Sequence, residues 1–432
     1  MTSRSALSSS LLKKQSIQSS AFLSTELSPT EGLSSELLAL DSTEFLQVLD
    51  EIRQQFAQTA AHYDRSGEFP HDNFKRLHHY KLLALTVPRH LGGYGATLAQ
   101  ARQVIAAVAQ GEPSTALVLV MQYLQHSRLP HNHHWPEHIR LKISRDAVEH
   151  GALINALRVE PDLGTPARGG LPNTIARRTS RHGQSGWLLN GHKIYSTGIA
   201  GLSWLAVWAR TEEDDPLAET LVGTWLIPQD AEGIEVVETW DHLGMRATGS
   251  HDVILRDVFV PADYAVDVHP ASKDRRSELD QQGTLWLSVL LSSIYDGVAR
   301  AARERFVQWL HERKPANLGA SLATLPRFQD VLGKVDSLLL NNQILLDSAA
   351  TAQVASVNAG QIKYLVTSNA ISAVETIIAA AGNPGLDKRN ALERHYRDVL
   401  CSRIHTPQND VILLEAGRRG INQGLHSGEN PA

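Results

Sequence analysis

The chain has 432 residues, of which 42% are hydrophobic and 20% charged, a composition typical of a globular protein with two or three structural units. Its formal net charge of −5 argues against a nucleic-acid partner, and the single cysteine, Cys401, excludes an intramolecular disulfide and a cysteine-ligated metal cluster. No stretch reaches about 18 consecutive apolar residues, so we expect no membrane span and a cytoplasmic protein.

The N-terminal segment, residues 1–40, differs from the rest of the chain in composition. Its first part is rich in serine and carries basic residues but no acid before Glu26, which also fits a transit peptide. Small polar residues bury too little area to offset the entropy that is lost on ordering. The favoured interpretation is therefore a disordered tail over residues 1–40.

Residues 41–148 show helical periodicity. Apolar residues recur at three- and four-residue spacing, as in Phe45, Leu49 and Ile52. A glycine-rich stretch at residues 88–95 interrupts the pattern and predicts a surface loop. We therefore expect an N-terminal helical domain over residues 41–148.

Residues 149–270 change to short β-branched and aromatic runs, such as 187–193, 204–210 and 223–228. The runs are separated by Gly, Pro, Asn and Asp, and no helical segment lies between them. Strands that follow one another without helices usually form antiparallel sheets. This part predicts a middle antiparallel β domain.

Residues 271–432 return to the helical period in three long segments, 285–313, 328–357 and 361–382. Long helices joined by short connections pack side by side, so we expect a C-terminal four-helix-bundle domain. The predicted fold class is α+β, with a β domain between two helical domains.

Four sequence motifs occur in a distinctive order along the chain, at residues 191–199, 240–251, 258–261 and 394–398. With the order of the domains, they resemble the acyl-CoA dehydrogenase superfamily over nearly everything after the N-terminal tail. The resemblance implies an acyl-CoA dehydrogenase-like fold and a flavin cofactor, either FMN or FAD.

The resemblance also implies which residues meet the flavin. In the superfamily the flavin ring lies against the β domain, on segments that correspond here to Tyr195, Ser196 and Thr197 and to Glu160. Hydroxyls at a strand end can hydrogen-bond the polar edge of a flavin, although such residues also cap turns. In the loop after Glu160, Arg168 is either a residue of the substrate pocket or a solvated loop charge.

A second set of flavin contacts is implied near the C-terminus. The resemblance assigns the flavin pyrophosphate to Arg313, whose guanidinium can bind two phosphate oxygens, and to the turn from Gly382 to Gly385 of a neighbouring subunit. The turn also reads as a simple helix stop. A site completed across subunits implies a homotetramer or a homodimer.

The catalytic carboxylate of an acyl-CoA dehydrogenase has no counterpart at either usual position. This base removes the proton α to the thioester carbonyl. Matching the superfamily phrase through residues 394–398 places Thr406 at the usual glutamate. Some members carry the base on the first long C-terminal helix, where Leu287 stands, and the nearby Asp296 is a weak substitute.

His405 stands beside the position of the lost glutamate. A histidine at this place resembles the branch of two-component flavin monooxygenases, such as dibenzothiophene monooxygenase. These enzymes receive reduced flavin from a separate reductase and oxygenate a small organic molecule, with sulfur compounds as our first candidates. A histidine with a pKa near 6.5 can hold or deliver a proton at neutral pH. We therefore predict His405 as the proton-handling residue; a buried structural histidine is the alternative.

The reacting flavin must be shielded from water, and the N-terminal helices would supply that wall. Gln122 and Tyr123 fall near the helix that faces the flavin in related monooxygenases, so we assign them to the substrate pocket, with helix packing as the alternative for Tyr123. The nearby histidines 126, 131, 133 and 134 fit no standard zinc spacing, and we expect no metal.

Two other functions remain open from the sequence. The first is a true FAD-dependent acyl-CoA dehydrogenase with a displaced base. The second is a non-catalytic flavin-binding scaffold that kept the fold after losing its activity. Reduction by an acyl-CoA would support the first, and failure to bind any form of flavin would support the second.

Overall fold

The computed structural model describes residues 37–163, 170–212, 219–272 and 281–426. The first part is helical, and its five helices are α1 (Thr43–Ser66), α2 (His71–His79), α3 (Leu98–Gly111), α4 (Pro113–Arg128) and α5 (Glu137–His150). In α1, Phe45, Leu49 and Ile52 are buried, as the periodicity predicts. Ser42 caps this helix by accepting a hydrogen bond from the backbone N–H of Phe45 at 3.1 Å.

Eight strands follow and form one sheet in the order β6-β7-β3-β2-β4-β5-β8, with β1 paired to β4. They are β1 (Leu153–Leu157), β2 (Ile175–Arg181), β3 (Gln184–Lys193), β4 (Leu202–Thr211), β5 (Leu221–Pro228), β6 (Ile234–Val237), β7 (Asp252–Pro261) and β8 (Ala265–Pro270).

The sheet is mixed, and the expectation of a wholly antiparallel domain is wrong in two pairings. Strand β4 pairs in parallel with both β1 and β2, whereas the other pairings are antiparallel. Parallel neighbours need a crossover, and here the β2–β3 hairpin supplies the chain between β1 and β4. The crossover places the end of β1 beside the segment that follows β3.

The last part is helical again, with α6 (Gln281–Glu312), α7 (Pro326–Ala350), α8 (Ala359–Ala381), α9 (Ala391–Leu400) and α10 (Asn409–His426). Helix α6 packs against α3 and α4 of the first part and against α7, α8 and α9 of the bundle. The segment Ser356–Ala381, which contains α8, is long and apolar enough to cross a membrane. It packs against α6, α7 and α9, as a core helix of a bundle does.

Candidate functional site

The segment after β3, residues 195–198, lies where the sheet meets helix α4. The backbone N–H of Gly198 donates to the carbonyl of Thr248 at 2.9 Å. Gly198 has a φ of 80°, and a Cβ at this position would lie 2.9 Å from a methyl carbon of Val118 in α4. Both the backbone angle and the close approach therefore require glycine.

Thr197 is oriented through both its backbone and its hydroxyl. Asn155 Nδ2 donates to the Thr197 carbonyl at 3.0 Å, and Ser250 Oγ donates to Thr197 Oγ1 at 3.1 Å. Thr248 Oγ1 lies 2.9 Å from Ser250 Oγ and extends the chain of hydroxyls. Because Thr197 Oγ1 accepts a hydrogen bond from Ser250, the hydroxyl proton of Thr197 remains available for donation to a ligand.

Two further side chains of this segment could contact a ligand, one through an unpaired hydroxyl and one through an exposed ring. Ser196 Oγ is buried and has no hydrogen-bond partner among the residues that the structure describes. Tyr195 is 54% exposed, and its ring lies 6.3 Å from the ring of Trp240 and 6.0 Å from that of His242, both edge-on. Buried hydroxyls beside exposed aromatic faces suit a planar ligand with a polar edge.

The loop of residues 240–251, which supplies Thr248 and Ser250, is tied to the helices. Met245 N donates to Asp398 Oδ1 of α9 at 2.8 Å, and Arg246 Nε donates to the carbonyl of Asp64 in α1 at 2.7 Å. Asp398 is buried, and this burial raises the pKa of its carboxyl group to about 7. The loop therefore holds the sheet side of the site against both helical parts.

His405 follows α9 and lies between two helices of the bundle. Its Nδ1 is 2.5 Å from the hydroxyl oxygen of Tyr295 in α6. Lys363 of α8 is fully buried, and its Nζ donates to the carbonyl of Pro407 at 2.9 Å. The positions of α6 and α8 therefore set the position of the His405 ring.

The environment of His405 disfavours its charged form. Burial, and then the positive charge of Lys363, lower the pKa of His405 to about 4. The expectation of an ordinary histidine pKa is therefore wrong, because the sequence revealed neither the burial of the ring nor the cation near it. His405 is a neutral imidazole at pH 7.

The described residues at the former base positions provide no free carboxylate. Thr406 and Leu287 stand at the two positions, and neither side chain can accept a proton. The weak substitute Asp296 is buried, with Oδ2 2.6 Å from Arg300 Nε and Oδ1 3.0 Å from Asn342 Nδ2. Its carboxylate serves the packing of the bundle, and we discard it as a base.

Glu160 has a structural role that the sequence did not predict. Its carboxylate forms a buried ion pair with Lys193, whose Nζ lies 2.6 Å from Oε1, and it also accepts from Thr174 and Asn173. Although burial opposes the charged form, Lys193 and these donors hold the pKa of Glu160 below its ordinary value. These partners occupy the carboxylate, so a flavin contact of this segment would come from its backbone.

Gln122 and Tyr123 are fully buried in α4, in contrast to the predicted place in a substrate pocket. The Gln122 amide donates to the carbonyls of Leu83 and Ala152 and accepts from the backbone N–H of Ile154 at 2.8 Å. The Tyr123 hydroxyl donates to a backbone carbonyl at 2.9 Å. The correction has a simple cause: α4 packs between β1 and residues 82–83, and its polar residues satisfy backbone groups of both.

The remaining predicted residues lie at the surface or outside the described ranges. Arg313, just after α6, is exposed, and the turn from Gly382 to Gly385 follows α8. Beside this turn is an open groove of about 510 Å³, lined by Asn383, Pro384, Asp387, Arg389 and Asn390. No hydrogen bond in the described part of the chain joins these residues to the 195–198 segment. Arg168 lies outside the described residues.

The histidines near residue 130 do not converge. His126 is buried in α4, whereas His131, His133 and His134 are exposed in the loop that follows. Within the described ranges, no group of three His, Cys, Asp or Glu side chains is arranged to hold a metal ion.

Sequence reasoning missed four residues that shape the site: Asn155, Ser250, Tyr295 and Lys363. Each one acts on a residue that is 42 or more positions away in the chain. Periodicity assigns such residues only to a strand or a helix face. The Thr-Gly-Ser wording in the 240–251 phrase was the one available signal, because it placed hydroxyls in a loop of the β domain.

Comparison with known protein families gives three consecutive matches. The N-terminal, middle and C-terminal domains of acyl-CoA dehydrogenases match residues 44–129, 159–258 and 289–409. The matches follow the order helices, sheet, helices that the structure has, and they include both the 195–198 segment and His405.

Individual relatives extend the comparison over most of the chain. A putative acyl-CoA dehydrogenase, YdbM of Bacillus subtilis, is 29% identical over 86% of this chain and 94% of its own length. Dibenzothiophene monooxygenase of Mycolicibacterium goodii is 24% identical over 88% of this chain and 94% of its own.

A solved structure shares the fold. KijD3, in complex with FMN and a dTDP-linked 3-amino-4-keto sugar, superposes with a TM-score of 0.73 at 26% identity, covering 89% of this chain and 96% of that one. The matched domains, their order and this superposition agree with one another, and the chain therefore belongs to the acyl-CoA dehydrogenase superfamily.

Proposed function

We propose that the protein is a flavin-dependent monooxygenase, which uses a reduced flavin and O₂ to oxygenate a small organic molecule. One observation carries the proposal: the position of the dehydrogenase base holds Thr406, while His405 beside it is seated against Tyr295. An acyl-CoA dehydrogenase needs a carboxylate there. The nearby Asp296 is committed to Arg300 and Asn342 and cannot replace it.

The sheet side of the site fits a flavin, which is FMN or FAD. Thr197 and Ser196 offer hydroxyls to the polar edge of the ring, and Asn155 and Ser250 orient Thr197. Tyr195 offers an exposed aromatic face. The relative KijD3 binds FMN, which supports this assignment.

Once bound, a reduced flavin supplies two electrons, so that one atom of O₂ enters the substrate and the other leaves as water. The residues of the chain provide the surroundings for this reaction. Helix α4, which packs on the sheet through Val118 and Gln122, excludes water from one side. His405 holds a proton on its imidazole at the opposite, helical side.

The names of the relatives support a substrate with a nucleophilic heteroatom. One relative is a dibenzothiophene monooxygenase, which points to sulfur, and KijD3 is bound to an amino sugar nucleotide, which points to nitrogen. As the substrate class we propose a sulfur compound first and an amine second.

The proposal includes partners. A separate flavin reductase would supply the reduced flavin, as the resemblance to two-component monooxygenases implies. In a homotetramer or homodimer, the groove beside the turn from Gly382 to Gly385 would meet the flavin of a neighbouring copy. Arg313 would bind the pyrophosphate of the flavin. We expect the assembly in the cytoplasm, where reduced cofactors are available.

The test is rapid mixing of the protein, loaded anaerobically with photoreduced FMN or FAD, against oxygenated buffer while the visible spectrum is recorded. We expect the flavin to pass through an absorbance that belongs to neither its reduced nor its oxidised form. Direct reoxidation, together with bleaching of bound oxidised FAD by an acyl-CoA, would return the protein to the dehydrogenases. Failure to bind any flavin would identify a non-catalytic scaffold.

A further inference from the structure

The contact between Tyr295 and His405 joins a fully buried phenol to a partly buried imidazole. Tyr295 is fully buried, and its hydroxyl oxygen lies 2.5 Å from His405 Nδ1, with the two ring centroids 5.8 Å apart. Among the described residues, this nitrogen is the only hydrogen-bond partner of the hydroxyl. The pair joins α6 to the segment after α9, so the two side chains are held from opposite directions.

The burial of the phenol decides which group donates. If His405 Nδ1 carried the proton, the Tyr295 O–H would lack an acceptor in a dry environment, and an unsatisfied buried donor is costly. If Tyr295 donates, both groups are satisfied. Burial also raises the pKa of Tyr295 well above 10, so the phenol keeps its proton.

The charges around the pair favour the same arrangement. From α8, Lys363 presents a buried ammonium group whose Nζ donates to the carbonyl of Pro407, close to the imidazole. From α9 and the turn after it, Asp398 and Cys401 face Tyr295. The Lys363 cation disfavours a charged imidazole, and an ionised Asp398 disfavours a charged phenol. The Cys401 thiol adds no charge, since burial raises its pKa to about 12.

We propose that Tyr295 is a positioning residue, which fixes His405 as a neutral imidazole with its proton on Nε2. The inference rests on the proposed function and deepens it. With Nδ1 occupied by Tyr295, His405 cannot accept a proton there and does not replace the lost base. It acts as a hydrogen-bond donor through Nε2–H, and no proton needs to leave the ring.

The tautomer can be measured directly in the full-length protein. Long-range ¹H–¹⁵N correlation spectra of histidine-labelled protein distinguish the two neutral tautomers, and His405→Gln identifies the signal. We expect Nε2–H in the wild type at pH 7. Tyr295→Phe should give a mixture of tautomers, and the pKa of His405 should rise by about 0.5–1 unit, since one hydrogen bond to the neutral form is lost.

Tyr94→Phe is the matched control, because it removes another buried phenol hydroxyl, which donates to the carbonyl of Tyr80 at 3.1 Å. This variant should leave the His405 signals unchanged. A proton on Nδ1 in the wild type, or the same tautomer in Tyr295→Phe, would overturn the inference. The wild-type spectrum alone decides the matter if Tyr295→Phe does not fold.

A second measurement separates this inference from the proposed function. The rate of reoxidation of bound reduced FMN by O₂ is followed against pH in the wild type and in Tyr295→Phe. We expect the inflection that belongs to His405 to move upward with its pKa in the variant. Protein that shows the Nε2–H tautomer but binds no reduced FMN would retain the positioning role of Tyr295 and refute the monooxygenase.

Discussion

The two sides of the candidate site differ in how far they depart from the dehydrogenase pattern. On the sheet side, the segment 195–198 and the loop 240–251 keep the phrases that resemble the superfamily, together with a chain of hydroxyls from Thr197 to Thr248. On the helical side, the base is absent and His405 stands beside its position. The sheet-side segments match the superfamily phrases, whereas the matched position of the dehydrogenase base holds no carboxylate.

The two sides are also held by separate hydrogen bonds. The sheet-side groups bond to one another and to α1 and α9, so replacing one leaves a buried partner unsatisfied. Thr406 lies in the short segment between α9 and α10, whose own contacts are made by His405 with Tyr295 and by Pro407 with Lys363. A substitution at Thr406 would therefore leave the hydrogen bonds of the sheet side intact.

The largest effect that we expect concerns the sheet framework. Lys193→Met should lower the free energy of unfolding by about 3–5 kcal/mol, because it leaves Glu160 charged and buried without its cation. Chemical denaturation measures the change. The control is Lys334→Met, which removes an exposed ion pair with Asp330 and should cost less than about 1 kcal/mol. Equal losses in the two variants would show that the buried pair does not support the sheet.

The second prediction separates binding from chemistry. His405→Ala should shorten the lifetime of the transient absorbance about 100-fold, the usual loss when a preorganised hydrogen-bond donor is removed. Its dissociation constant for reduced FMN should change less than about twofold, since His405 is not among the groups that we propose to hold the flavin. His138→Ala, which alters an exposed histidine paired with Asp263, serves as the control. A large loss of flavin affinity in His405→Ala would contradict the division into two sides.

The elements that local patterns specify were predictable. Helical periodicity gave the buried face of α1, with Phe45 and Ile52, and the three long helices of the bundle. The parallel pairing of β1 with β4 was not predictable. Leu153 pairs directly with Leu202, but two other strands lie between them along the chain. Strand order depends on contacts between distant residues, which a single sequence does not display.

The same distinction applies to the site. Thr197 was predicted because it lies in a phrase that resembles a known family, and His405 was predicted by extending the match beyond residue 398. Tyr295 could not be found, because it precedes His405 by 110 positions and reads as one apolar residue of a long helix. Gln122 was misassigned since its amide satisfies backbone groups of β1, a role that only the packed structure reveals.

The third prediction concerns Asp398, which links the two sides by accepting from Met245 N. Burial raises the pKa of Asp398 to about 7, so between about pH 4 and pH 7 the folded protein holds a proton that the unfolded chain releases. This contribution to the free energy of unfolding is present below pH 4 and is lost as the pH rises through 7. Asp398→Asn keeps an acceptor and removes the titration.

The difference in the free energy of unfolding between wild type and Asp398→Asn is therefore measured at pH 5 and pH 8. We expect it to change by roughly 2–4 kcal/mol in favour of the variant at the higher pH. Asp330→Asn, at an exposed position, should show a much smaller change. A pH-independent difference for Asp398→Asn would mean that the carboxylate stays charged when buried.

The smallest effect that we expect is the most direct check on the sheet side. Thr197→Ala removes a hydroxyl that Ser250 orients toward a ligand, and it should weaken FMN binding about 5- to 10-fold, the worth of one hydrogen bond. Thr197→Ser should restore most of the affinity. Thr376→Ala removes a hydroxyl on the exposed face of α8 and should have no effect. Equal affinities in Thr197→Ala and Thr376→Ala would show that the hydroxyl chain only stabilises the loop, and the flavin would then have to be held from the helical side.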